Sequence, residues 1–169
     1  MQSRFPPFLI AAIVFVLDRI TKWLIKTNVG AFDTHHIIPG FFNIVHAENP
    51  GVAFGFLADS TGVWRSFFLI GLSATVMIFI TAMLSKPVRS TAENITRIGL
   101  AFVLGGAVGN LFDRVMHGTV TDFVEVYLGQ HYFPAFNVAD SAITVGASLL
   151  LLDMWLSRNK KMEAHTNAS

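Results

Sequence analysis

Four stretches of mostly apolar residues constrain this chain more than any other feature. They cover 7 to 26 (PFLIAAIVFVLDRITKWLIK), 63 to 84 (VWRSFFLIGLSATVMIFITAML), 95 to 116 (ITRIGLAFVLGGAVGNLFDRVM) and 137 to 155 (NVADSAITVGASLLLLDMW). A hydrocarbon layer about 30 Å thick is crossed by a helix of about 20 such residues, so each run is long enough to span a bilayer. The first could pass for a secretory signal, but Asp18, Arg19 and Lys22 interrupt its end and no A-x-A cleavage site follows. With 53% hydrophobic and 14% charged residues among 169, the chain is too apolar for an ordinary soluble domain. The fold class expected is a mainly α membrane protein: four transmembrane helices, a small β-containing outer subdomain, and a lid loop between spans 3 and 4.

Four spans put both termini on one side. Arg4, then Lys86, Arg89 and Arg97, then Arg158, Lys160 and Lys161 share that side, which the bias of basic residues makes cytoplasmic; Lys26, Arg65 and Arg114 flank the other. One domain is expected over 1 to 157, followed by a disordered cytoplasmic tail, 158 to 169. Of the two outer connections, 27 to 62 carries apolar and β-branched runs broken by Pro-Gly and Asn-Pro-Gly, which reads as a small sheet or hairpin at the membrane surface. In 117 to 136, GTVTDFVEV alternates weakly in the manner of a strand. Phe41, Phe42, Trp64, Tyr127, Tyr132, Phe133 and Phe136 fall where an aromatic belt belongs.

Ionisable groups at membrane depth are penalised unless paired, so their placement is informative. Asp18, Arg19 and Lys22 end the first run, Asn110, Asp113 and Arg114 end the third, Asn137 and Asp140 open the fourth, and Asp122 and Glu125 lie between those last two. All map to the outer face. Asp140 has a plain structural role as the third helical residue after an Asn cap. Yet the connection from Asp122 is short enough to bring both carboxylates to one depth. Two such acids cannot both ionise cheaply, so one holds a proton while the other stays charged, which is the general acid and base pair of an aspartic protease. Asn110 and Arg114 share a helix face and could orient the pair; Asp18 and Lys22, also four apart, read as a self-neutralising pair. Gly105 and Gly109 signal close helix packing.

Other chemistries find no support. There is no Cys and hence no disulfide or thiolate, and His35, His36, His46, His117 and His131 lack ligand spacing, so no metal is expected. Ser73 in GLSA is a packing serine, and GAVGN has Asn where the G-x-G-D proteases carry Asp. A net charge of +1 without a basic, aromatic-interleaved block sets nucleic acid aside. A proton-relay carrier, or a lipid or partner scaffold, remains the competing class.

Five motifs in order, DRITK, ENPGVAFG, GGAVGNLFDR, GTVTDF and FNVADS, resemble the lipoprotein signal peptidases, or signal peptidase II, over nearly the whole chain. The resemblance implies an inner-membrane aspartic endopeptidase that frees diacylglyceryl-modified prolipoproteins of their signal peptides, cutting on the N-terminal side of the lipidated cysteine. It implies Asp122 and Asp140 as catalytic residues, with Asp18, Lys22, Asn49, Gly51, Gly109, Asn110, Arg114, Asn137 and Ala139 around the site. It further implies no cofactor, contact with membrane phospholipid, a monomer, an active site near the periplasmic face, and a mobile half-helix lid at 118 to 136 that conflicts with the strand-like pattern there.

Overall fold

The computed structural model describes residues 5–31, 33–51, 63–87 and 93–166; Arg4, Arg89 and the VAFG of the second motif lie outside them. Four helices, α1 (Phe5–Asn28), α2 (Val63–Ser85), α3 (Glu93–His117) and α4 (Val138–Thr166), are joined at one end by four short strands, β1 (Thr34–Ile38), β2 (Phe42–Asn49), β3 (Val120–Leu128) and β4 (His131–Tyr132). Pro6 and Pro7 sit in the first turn of α1, where their missing N–H groups would have no helical partner in any case.

The helix bundle is inverted relative to a soluble protein. Leu9, Ile13, Leu17, Phe67, Phe68, Ile78, Phe79 and Leu151 face outward, whereas Asp18, Lys22, Asp113 and Asn110 are buried. Such a distribution is stable only where the surroundings are themselves apolar. Among the described residues, three helical segments, Trp64–Ser85, Asn94–His117 and Val138–Asn159, are long and apolar enough to cross a membrane. The expected first span lies within α1, whose length suffices but whose second half carries Asp18, Arg19 and Lys22.

α3 is the axis of the bundle, packed against the other three helices. It can be because its glycines remove side chains at the crossings. A Cβ on Gly105 would stand 2.6 Å from the Ala11 carbonyl oxygen of α1, and one on Gly106 would collide with the Ala139 carbonyl of α4. Below these crossings Ala11, Ile80, Leu84, Leu100 and Leu104 form the apolar core. Arg97 secures the far end: it is 6% exposed, and its two terminal nitrogens donate to the Leu84 and Lys86 carbonyls at 2.7 and 3.2 Å, satisfying oxygens that the end of α2 leaves open. Arg97→Met is expected to lower stability by about 1.5–3 kcal/mol, read as a lower midpoint of thermal unfolding in detergent.

The two outer connections meet in one antiparallel sheet, ordered β1-β2-β3-β4. β3 is flanked by β2 on one side and by β4 and Phe136 on the other. Val120, Thr121, Asp122 and Phe123 are all buried, so both faces of the strand are covered, and its apolar alternation is weak for that reason. Of the two readings of 118 to 136, the strand-like pattern is the one the fold holds, as a strand and a short hairpin in place of a half-helix, with Tyr127 and Tyr132 stacked across it at 5.0 Å. α4 runs to Thr166, through residues expected to be disordered, because NKKMEAHT consists largely of good helix formers with neither Gly nor Pro to stop propagation.

Candidate active site

Asp122 and Asp140 are brought together by the way chain 133–140 is laid along β3. Phe136 exchanges backbone hydrogen bonds with Val124 and also accepts from the Phe123 N–H, which delivers Asn137 to the side of Asp122. Asn137 then starts α4 through a reciprocal cap: its side-chain oxygen accepts from the Asp140 N–H at 2.9 Å, and the Asp140 carboxylate accepts from the Asn137 N–H at 3.3 Å. The capping role and the site role of Asp140 are therefore one geometry. The amide of Asn137 is left to donate, and it does so to Asp122 at 2.7 Å. One residue thus touches both carboxylates.

The remaining carboxylate oxygens are held by other amides. Asn49, at the end of β2, donates to Asp122 at 2.9 Å, and Asn110 of α3 donates to Asp140 at 2.7 Å. Asn49 reaches Asp122 because β2 advances three residues, from Ile44 to Ala47, while β3 moves two, from Val124 to Asp122. This bulge is the kind of irregularity that re-aims side chains next to a site. Glu48 pins the same register by accepting from Thr119 and Thr121. Burial pushes its carboxyl up, but those hydrogen bonds and Lys26 hold it below the usual range.

Beneath the carboxylates lies a buried ionic network. Lys22, 1% exposed, is paired with Asp18 at 3.0 Å and Asp113 at 2.8 Å, and Arg19 joins both acids at 3.0 and 2.6 Å. Lys22 also donates to the side-chain oxygen of Asn110 at 3.1 Å. An ammonium can only donate, so this bond obliges Asn110 to present its NH2 to Asp140. The Asp18 and Lys22 pair expected from spacing is present, and it is the support on which the amide that grips Asp140 is set. Asp18 also accepts from the Ala139 N–H at 3.1 Å and would touch any Cβ placed on Gly109. Arg114 donates to the backbone carbonyls of Asn110 and Gly51, tying the Asn-Pro-Gly turn to α3.

All eleven residues singled out from the sequence fall in this region. Those it missed are Asp113 as a partner of Lys22 and Arg19, Arg19 as a second cation on Asp18, and Thr121 and Glu48. Thr121 and Glu48 lie on paired strands far apart in sequence, and no local pattern marks them; the DR of NLFDR was the available hint for Asp113.

Asp122, Asp140, Asn49, Asn110 and Arg114 border one cavity of about 1120 Å³. Burial pushes the Asp122 carboxyl up; the Asn49 hydrogen bond opposes this, the neighbouring Asp140 adds to it, and the result is a value of about 6. Among the described residues, no group of three or more His, Asp or Glu side chains is arranged to hold a metal ion. The site can therefore offer a water molecule two carboxyl groups of which one retains a proton at mildly acidic pH.

Apolar helices enclosing a polar cavity with paired carboxylates describe a membrane-embedded enzyme, and two solved bacterial membrane enzymes share this fold. One matches with a TM-score of 0.80 and 30% identity over 92% of this chain and 90% of the other, the second with 0.76 and 29% over 88% and 91%. A family model described as signal peptidase (SPase) II matches residues 10–156. The lipoprotein signal peptidase of Solibacter usitatus is 51% identical over 97% of this chain and 98% of its own length, and that of Alteromonas mediterranea 38% over 91% and 82%. The chain belongs to the signal peptidase II family, and it is a peptidase.

Proposed function

We propose that this peptidase removes signal peptides from diacylglyceryl-modified prolipoproteins in the bacterial inner membrane, cutting on the N-terminal side of the lipidated cysteine, with Asp122 and Asp140 as the catalytic pair. The observation that carries the reading is that both carboxylates border one cavity and are joined through Asn137. One carboxylate takes a proton from a water molecule as the water oxygen attacks the scissile carbonyl carbon. The other, protonated, gives its proton to the carbonyl oxygen. Collapse of the tetrahedral species breaks the C–N bond, and a proton passes to the leaving nitrogen, which becomes the amino group of the lipidated cysteine. Asn49, Asn110 and Asn137 hold the pair in place, and no cofactor enters.

In this reading α1 is the fourth span. Its buried charges are balanced, since Asp18 and Asp113 oppose Arg19 and Lys22 within one network, and a neutral cluster enclosed by other helices is tolerated at membrane depth. Both termini are then cytoplasmic and the site lies near the periplasmic face, at the depth of a substrate anchored by its signal helix and acyl chains. Membrane phospholipid surrounds a chain that works as a monomer.

Gel-resolved cleavage of a diacylglyceryl-modified prolipoprotein, beside the unmodified precursor, tests the proposal. Cleavage of the modified chain alone supports it; a purified, folded protein that cuts neither refutes it. The pH dependence adds a sharper check. The pair holds one proton below about 6 and loses it above, so kcat/KM is expected to fall on the alkaline side with an apparent value near 6 that belongs to both acids. Asn49 donates to the charged form of Asp122, so Asn49→Ala should move that fall to higher pH. A limb that stays put or moves lower contradicts the arrangement.

A further inference from the structure

Among the described residues, α2 contributes one side chain to the cavity that holds Asp122 and Asp140, and it is Arg65. Arg65 lies in the first turn of α2, beside Trp64, which is 83% exposed and begins the apolar segment ending at Ser85. An exposed Trp at the end of such a segment marks the interfacial depth. A cation in the first turn opposes the helix dipole, so α2 gains nothing from having it there.

The surrounding protein does not use it either. Arg114 commits both terminal nitrogens to backbone carbonyls. Arg65, among the described residues, makes no hydrogen bond or ion pair, and its Nε is shielded from solvent without an acceptor. A guanidinium offers five N–H donors and accepts nothing, and leaving a shielded donor empty is unfavourable. Its place on the cavity wall directs those donors to whatever occupies the cavity.

The charges lining that cavity select the kind of acceptor. Glu48, Asp122 and Asp140 face Arg65 and Arg114 there. Three acids against two bases do not favour an added anion, whereas a neutral carbonyl oxygen meets no such opposition. We propose that Arg65 is a substrate-binding residue that donates to carbonyl oxygens of the lipid-modified peptide, ester or amide, beside its diacylglyceryl cysteine. The inference rests on the function proposed above.

Steady-state cleavage of the diacylglyceryl-modified precursor by the parent, Arg65→Gln and Arg65→Lys is the test, run in detergent micelles with and without phosphatidylglycerol. Losing charge-assisted hydrogen bonds should raise KM by roughly ten- to a hundredfold in Arg65→Gln. Arg65→Lys, which keeps the charge but not the fork, should fall between. The value of kcat should change by no more than about twofold, and the unfolding midpoint should not drop. An unchanged KM in an otherwise active Arg65→Gln enzyme overturns this inference alone. So does a rise in KM seen only with phosphatidylglycerol, which would assign Arg65 to a phosphate headgroup, or a lowered unfolding midpoint, which would make its role structural. If the parent fails to cut the modified precursor, this inference and the proposed function fall together.

Discussion

Asp122→Asn and Asp140→Asn should each reduce cleavage of the lipid-modified precursor by roughly 10³-fold or more, because in the proposed mechanism each removes one of the two groups that exchange protons with water and the scissile bond. The stability of Asp122→Asn distinguishes a chemical role from a structural one. The Asp122 value of about 6 in the folded chain lies above the ordinary 3.8. Between those values the folded state binds more protons than the unfolded, so unfolding free energy falls as pH rises, and above about 6 the penalty is fully present. The difference corresponds to at most about 3 kcal/mol. The substituted amide would carry no charge while losing one acceptor for Asn49 or Asn137, so at pH 8 the variant should unfold within a few degrees of the parent or above it. Near-parent activity in either folded variant would reduce that aspartate to a cap or a buried acid and end the paired mechanism.

Lys22→Met is expected to be the most destabilising single change in the bundle. It leaves Asp18 and Asp113, both 0% exposed, with Arg19 as the one permanent cation they share. Removing one partner of a buried ionic cluster typically costs about 3–5 kcal/mol, since the uncompensated charge stays out of water. It also frees the Asn110 side-chain oxygen, so the amide is no longer obliged to face Asp140, and kcat should fall in whatever fraction folds. Adding Asp113→Asn restores electrical balance and should recover part of the lost stability without recovering kcat. A second substitution that merely adds further destabilisation would show that the charges are not coupled.

What could be read locally was read well. Apolar length marks the helices because crossing a bilayer demands it of every residue in a run. NVAD marks the start of α4 because a reciprocal cap needs only residues three apart, and Asp18 and Lys22 pair because they are one turn apart. Where the local pattern was faint, the cause is tertiary. β3 is a strand whose alternation is weak because it is covered on both faces.

The sequence by itself determined the membrane class and the gathering of polar groups at one end of the helices, and it marked Asp122 and Asp140 as the proposed pair, all of which depend on residue type and short spacing. Only the tertiary structure decided which groups meet. Lys22 finds Asn110 at a separation of 88 residues, Asn49 finds Asp122 at 73, and Arg19 finds Asp113 at 94. These contacts follow from glycine-permitted helix crossings and from the β2 to β3 register. Neither is encoded in any single stretch, because each requires two distant segments to present matching surfaces.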